Sequence, residues 1–266
     1  MIIKAGKKRL LTGNSRQEER RIQQATQSKI ANSMVNPIDK EIKRALLKLS
    51  DVYKQTESTE LFGFELTKHE DKLSEVLERG FRRGAIIGGE RIIGAAKCTH
   101  GAGYIRKNDI QDEFMDAVQS FISLQALARV SGLTQTTIQY VKNRISTGVA
   151  AGFSVDEIAL GIREIAPRIS KYRSMMISRT ESHAAYNFGT QAGAEASALR
   201  LKKEWISSID ARTRDDVFDH IAADGETVDT NDFFLNSGGV LMYPGDPAGD
   251  AGNVIHCRCG RGDVLA

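Results

Sequence analysis

Two cysteines near the end of the chain have a spacing that could serve metal binding, redox chemistry or packing. Cys257 and Cys259 stand one residue apart in the stretch NVIHCRCG, and they are two of only three cysteines in 266 residues. In an extended strand, residues i and i+2 point to the same face. We therefore expect the two thiols to project together, with His256 and Arg258 on the opposite side.

Three interpretations of this cysteine pair remain open. Zinc would need two further ligands, for which His220 and Asp210 are the sequence candidates, although the spacing is not the Cys-x2-Cys of a zinc knuckle. A disulfide across one residue would be strained, and it is not expected in a reducing compartment. The commonest outcome is that both thiols pack as small hydrophobic groups against Trp205, which leaves Arg258 to pair with Asp210 or Glu181. We predict no cofactor, with zinc as the alternative.

A second group of candidates lies on the last long helix, predicted from Ser170 onwards in SKYRSMMISRTESHAAYNFG. Polar residues interrupt helix faces that otherwise suit packing, and buried polar groups are costly unless they are paired. They could form an active site, but we favour a polar clasp that fixes this helix to the C-terminal segment by charge-assisted hydrogen bonds. The polar clasp is predicted to comprise Arg179, Thr180, Glu181, Asn187, Asp210, Arg212, Arg214 and Arg258.

The elements that position these residues are mainly helices. Apolar periodicity predicts a helical body up to about residue 200. SVDE at 154–157 matches a capping box, and Pro167 is predicted to end the short helix that this box begins. The predicted helix starts are Pro37, Thr67, Asn108 or Asp109, Thr134, Ser154 and Ser170.

Glycines form a stripe on the second predicted helix, which runs to about Lys97. Gly80, Gly84 and Gly88 are spaced by four, so this side of the helix has almost no side chains. Glycine costs roughly 1 kcal/mol relative to alanine in a helix. Close approach of a neighbouring helix would offset that cost.

After Lys203 the pattern changes to that of short strands and loops. EWISSI alternates as a strand does, and glycine, proline and aspartate become frequent. The predicted fold class is therefore mainly α, with an elongated helical N-terminal body followed by a small α+β unit at 201–266.

Composition and charge narrow the class of protein. The net charge is +3, 41% of residues are hydrophobic, and no apolar run approaches the length of a membrane span. The N-terminus does not fit a signal peptide, so we expect synthesis in the cytoplasm. Basic residues in the first thirty could contact nucleic acid or an acidic protein surface, or they could form a solvated tail. The candidates for this contact are Lys4, Lys7, Lys8 and Arg9.

Five short motifs in order carry a resemblance to a known family. SRTESHAAYNFG, EWISSIDARTR, a downstream His and DG, YPGDP and HCRCG follow one another. Together they resemble the phage Mu F-like minor head proteins, which are head morphogenesis proteins of tailed bacteriophages. The resemblance covers roughly residues 135–266, and His256 replaces the asparagine that the family has before its first cysteine.

The resemblance implies a low-copy structural component of the phage head without enzyme activity. It implies a portal-associated role in procapsid assembly, DNA packaging or DNA ejection, inside the virion head near the portal. The implied partners are the portal protein, the major capsid or scaffolding protein, and double-stranded DNA. Since only six residues follow HCRCG, we expect no appended toxin or transferase domain of the kind that some relatives carry.

The predicted organisation combines this resemblance with the charge and helix patterns of the first 133 residues. A basic, flexible arm at 1–36 precedes a helical region at 37–133 that docks to portal or capsid, and the Mu F-like domain occupies 134–266. One alternative is a metal-dependent nuclease or transferase using Glu181, His183, His220 and the two cysteines, which would have to converge at an open site. Another is a nucleic-acid-binding module, whose affinity would fall steeply with salt.

Overall fold

A computed structural model describes residues 15–100, 107–197 and 199–266 of the protein. Within these residues the chain forms five helices and three strands. The helices are α1 (Arg16–Thr56), α2 (Phe62–His100), α3 (Lys107–Ala150), α4 (Val155–Ala196) and α5 (Ala251–Val254). The strands are β1 (Leu201–Ile206), β2 (Thr227–Asp229) and β3 (Gly260–Leu265).

The predicted fold class is confirmed: the chain is mainly helical and ends in a small α+β region. β1 lies in the centre of an antiparallel sheet with the order β2-β1-β3. Trp205 of β1 pairs with Arg261 of β3, and Glu204 pairs with Thr227 of β2. The sheet therefore brings the end of the chain beside the strand that follows the long helix α4.

The predicted helix boundaries were partly wrong, because the helices are longer than their local signals suggest. α1 begins at Arg16 and continues through Pro37, so residues 16–36 of the predicted arm are helical. α3 continues through Thr134 as a single helix. A proline inside a helix costs about 3 kcal/mol, and burial of the flanking side chains offsets it. The buried side chains around Pro37 are Ile30, Met34, Ile38 and Ile42.

α4 shows one confirmed boundary and one wrong one. The capping box is present: the Ser154 amide donates to the Glu157 carboxylate over 2.8 Å, and the Glu157 amide donates to Ser154 Oγ over 3.3 Å. Beyond it, α4 does not end at Pro167 or restart at Ser170 but runs on to Ala196. One unbroken helix therefore carries the predicted clasp residues.

The chain divides into two compact units, each built from separated segments. Unit 1 contains the described residues within 1–31, 80–122 and 179–266, and unit 2 contains 32–79 and 123–178. The predicted division at 1–36, 37–133 and 134–266 concerns functional regions of the chain, and it remains a prediction.

In unit 1, α2 and α4 meet backbone to backbone at the glycine stripe, as predicted. A Cβ atom added at Gly84 would lie 2.9 Å from the Cβ of Ala185, and one at Gly88 would lie 2.2 Å from the Tyr186 carbonyl oxygen. Gly189 of α4 is equally close to α2, since its added Cβ would lie 2.0 Å from the Ala85 carbonyl oxygen. Beside this contact the rings of Phe121 and Phe188 stack at 4.0 Å.

Unit 2 has its own apolar core between its helical segments. Its fully buried side chains include Leu46, Leu49, Phe62, Leu77 and Val141. Two polar contacts tie its segments together: Ser50 Oγ donates to the Ala159 carbonyl over 2.9 Å, and Arg173 donates to Thr137 Oγ1 over 2.7 Å. Across the described part of the chain, no helix has both the length and the apolarity needed to cross a membrane.

Candidate metal centre and arginine-lined cavity

The two cysteines lie in the hydrophobic core of the C-terminal region. Cys257 and Cys259 are 4% and 1% exposed, and they cluster with Trp205, Phe234 and Val254. They precede β3 and are not in a strand, since β3 begins at Gly260. The expectation of a strand here was therefore wrong, although both thiols are buried as predicted for core packing.

His220 joins the two cysteines inside this core. Its Nδ1 atom lies 3.7 Å from Cys257 Sγ and 3.4 Å from Cys259 Sγ, and all three residues are buried. The ring packs edge-on against Trp205, with centroids 5.3 Å apart. Among the described residues these three side chains form a group whose ligand atoms all lie within 4.8 Å of one another.

The hydrogen bonds around His220 determine which ring nitrogen carries the proton. The Ser237 carbonyl can only accept, so it faces the Asn253 amide nitrogen at 3.4 Å. The Asn253 amide oxygen then faces His220 Nε2 at 2.7 Å and accepts its proton. Nδ1 is consequently left with a lone pair directed at the two sulfur atoms, as a metal ligand requires.

The two thiols do not share the same acidity. Burial raises the pKa of the Cys257 thiol well above its usual value. A hydrogen bond from Cys257 lowers the pKa of the Cys259 thiol. Cys259 is therefore the more easily ionised member of the pair.

The predicted polar clasp is only partly assembled. Asp210 pairs with Arg258, as expected, and that hydrogen bond lowers the pKa of the Asp210 carboxyl. Thr180 Oγ1 accepts the His256 amide at 3.2 Å. Arg214 donates to the carbonyl of Ile255. These contacts join α4 and the turn after β1 to the cysteine segment, and they leave Asp210 outside the group of sulfur and imidazole donors.

Asn187 and His183 bind the cysteine segment from inside α4. Asn187 Nδ2 donates to the Pro244 carbonyl over 2.8 Å, and His183 Nε2 donates to the Cys259 carbonyl over 2.6 Å. Burial lowers the pKa of His183, so the ring is neutral and its Nδ1 carries no proton. The backbone of Gly245 packs directly against that nitrogen, since a Cβ added at Gly245 would lie 2.3 Å from it. His183 therefore holds the backbone of Cys259 and does not join the donor group of His220.

The backbone amide of Arg212 donates to Asp210 over 2.9 Å, but the side chains of Arg179 and Arg212 line an open cavity of about 570 Å³ within unit 1. Its basic lining residues are Arg179, Arg212, Arg214, Arg258 and His256, and α1 contributes Gln24, Gln27, Ser28 and Ala31. In the described structure its lining includes no carboxylate. Burial and the surrounding arginines lower the pKa of His256. The cavity therefore suits an anionic group. Glu181 is 7% exposed and does not line it.

His256 has an unusual backbone conformation at the rim of this cavity. Its φ angle is 61°, in the left-handed region that few residues other than glycine adopt. Asparagine and histidine are both enriched there. Histidine is therefore one of the side chains that suit this backbone conformation.

A buried charged network that the sequence did not reveal lies beside the clasp. Arg261 and Asp263 of β3 are 0% exposed and form an ion pair. Arg261 also donates to Gln191 of α4, and its backbone carbonyl accepts Gln23 of α1 over 2.6 Å. Glu19 of α1 pairs with Arg91 of α2. These residues connect the helices of unit 1 to β3 more extensively than the predicted clasp does.

Comparisons with known proteins bear on the C-terminal half of the chain. A family model described as phage Mu protein F like protein matches residues 139–261. This match confirms the resemblance carried by the five motifs. No curated protein and no solved structure shows significant similarity to the chain. The predicted contact residues Lys4, Lys7, Lys8 and Arg9 lie outside the described residues.

Proposed function

We propose, from the match of residues 139–261 to the phage Mu protein F-like family model, that this chain is a minor head protein of a tailed bacteriophage. It associates with the portal and acts in procapsid assembly, DNA packaging or DNA ejection through structural interactions. In the virion it lies inside the head near the portal, where it also meets the major capsid or scaffolding protein. The family is one of structural phage head proteins, and its match to this chain is the observation that carries the proposal.

The environment of the polar residues supports a structural role over a catalytic one. Of the residues in the enzyme alternative, Glu181 is buried, and His183 is held by a backbone carbonyl of its own unit. The arginine-lined cavity offers no carboxylate from its described lining residues for acid–base catalysis. Its arginines instead provide the planar donors that bind carboxylates and phosphates in two-point contacts.

We assign the arginine-lined cavity as the contact for an acidic surface of the portal protein. Arg179 and Arg212 are exposed and form no ion pair among the described residues, so they are available to a partner. Arg258, by contrast, is already paired with Asp210. Removal of the two available charges should therefore affect partner binding more than the fold.

The test is co-purification of the full chain with portal protein from the same phage. The double variant Arg179→Glu/Arg212→Glu should lose association at moderate salt. The matched control Arg82→Glu/Arg83→Glu makes the same charge change at exposed positions of α2, and it should bind as the wild type does. If wild type and control both fail to associate with portal rings or head particles, the head-protein role is wrong.

Nuclease treatment separates the two anionic partners. Association that survives digestion of DNA supports a protein contact at the cavity. Loss of association on digestion would instead make DNA the bridging partner and would overturn the assignment of the cavity to the portal. The substitutions are made in the full chain, because a variant without its N-terminal half would lack two of the three segments of unit 1.

A further inference from the structure

We propose that His220, Cys257 and Cys259 bind one Zn²⁺ ion through His220 Nδ1 and the two Sγ atoms. The inference stands on the geometry of these side chains and does not depend on the head-protein role. Sulfur and imidazole nitrogen are donors that zinc prefers, whereas magnesium and calcium require oxygen donors. The three residues are also buried in the core of the C-terminal region.

The spacing of the donor atoms matches that of a tetrahedral zinc site. With Zn–S near 2.3 Å and Zn–N near 2.0–2.1 Å, the nitrogen and each sulfur are separated by about 3.6 Å. The observed separations of His220 Nδ1 from the sulfurs are 3.4 Å and 3.7 Å. Both nitrogen–sulfur separations therefore match those expected around one bound ion.

Asn253 acts as the positioning residue for the histidine. Zinc-bound histidines usually donate their second N–H to a carbonyl or carboxylate, which fixes the ring and its tautomer. His220 Nε2 makes this contact with the Asn253 amide oxygen at 2.7 Å, and the Ser237 carbonyl orients the amide in turn. The hydrogen bonds from His220 to Asn253 and from Asn253 to Ser237 thus hold the ring with Nδ1 toward the sulfurs.

The ion would join two loops that are far apart in the sequence. His220 lies in the segment between β1 and β2, and the cysteines lie in the segment just before β3. Two thiolates neutralise the charge of Zn²⁺, and three protein donors leave one tetrahedral position for a water molecule or an anion. Cys257 also lines the arginine-lined cavity, from which such a group can enter.

The experiment measures metal content of the full chain after purification from zinc-supplemented medium. We expect about one zinc ion per chain in the wild type. Cys257→Ser, Cys259→Ser and His220→Ala should each reduce zinc content at least about tenfold. Two controls match these changes chemically: Cys98→Ser alters the third cysteine, and His256→Gln alters the histidine beside the pair. Both controls should retain zinc.

A second measurement keeps the inference testable if a ligand variant fails to fold. Co²⁺ added to metal-free wild-type protein should give thiolate-to-cobalt charge-transfer absorption and the intense visible bands of a tetrahedral site, and Zn²⁺ should displace it. His220→Cys should restore zinc content relative to His220→Ala, since a thiolate replaces the imidazole. Wild-type protein that binds neither ion, or that has its two thiols joined in a disulfide, overturns the proposal. Ligand variants that retain as much zinc as the controls overturn it as well.

Discussion

The contact between α2 and α4 can be tested by giving each of two glycines of α2 a methyl group. At Gly88 the added Cβ would lie 2.2 Å from the Tyr186 carbonyl oxygen and 3.1 Å from the Thr190 amide nitrogen, which are backbone atoms that cannot rotate away. At Gly94, in the same helix, no atom lies within 4 Å of the added Cβ. The two substitutions therefore share their chemistry and differ only in what the methyl meets.

The two substitutions are expected to change the free energy of unfolding in opposite directions. Alanine gains about 0.5–1 kcal/mol over glycine in a helix where space is free, so Gly94→Ala should raise the free energy of unfolding by that amount. Overpacking typically costs about 1–3 kcal/mol. The contacted atoms belong to the backbone, so we take the upper end of this range. After the helix gain is subtracted, Gly88→Ala should lower the free energy of unfolding by about 2 kcal/mol.

Urea unfolding followed by circular dichroism measures both values, and the urea dependence should stay unchanged in both variants. If Gly88→Ala proves as stable as Gly94→Ala, the two helix backbones are not in contact and the packing described for unit 1 is incorrect. A loss of stability in both variants would instead mean that the methyl group itself, and not its neighbours, is unfavourable in α2.

Three further predictions concern the C-terminal region. Asn253→Ala leaves the thiol donors in place and should weaken zinc affinity about 10–100-fold. A competition titration with a zinc chelator measures this affinity, and an unchanged value would show that Asn253 does not position His220. Burial lowers the pKa of Lys203 to about 7, whereas an unfolded lysine keeps its proton up to about pH 10.4. The folded protein then binds fewer protons between these values, so its free energy of unfolding should rise with pH there, by at most about 1.4 kcal/mol per pH unit. Urea titrations at several pH values should show that Lys203→Met flattens this rise. If the free energy of unfolding of the variant rises with pH as steeply as that of the wild type, Lys203 is not the group responsible. Asp210→Asn breaks a partly exposed ion pair with Arg258 and should lower the free energy of unfolding by less than about 1 kcal/mol at neutral pH. Because the pKa of the Asp210 carboxyl is lowered in the folded state, this loss of stability should shrink as acid protonates the wild-type carboxyl. A loss of stability that persists in acid would show that charge is not its cause.

Local signals in the sequence predicted the contacts that depend on residue type. The glycine stripe anticipated the close approach of α4, since a helix tolerates glycines at Gly84 and Gly88 when a neighbour fills the space. Cysteines expected to pack on Trp205 do so. The capping box at Ser154 is formed because both of its hydrogen bonds are local.

Features that depend on distant segments could not be predicted in this way. Pro37 and Thr134 suggested helix starts, but continuous apolar faces carry α1 and α3 past both positions. Asn253 had no distinguishing signal, because its role comes from His220 in another loop. Arg261 stands in a glycine-rich end segment, and besides Asp263 its partners come from helices far away in the sequence.

The discontinuous make-up of unit 1 has a consequence for synthesis. Its segments come from the beginning, the middle and the last part of the chain, so a nascent polypeptide cannot close this unit until residues 179–266 have left the ribosome. Long-range pairings of this kind also form late in folding. A chain cut short during translation would lack both β3 and the cysteine segment, so it could complete neither the sheet of unit 1 nor the core around Trp205.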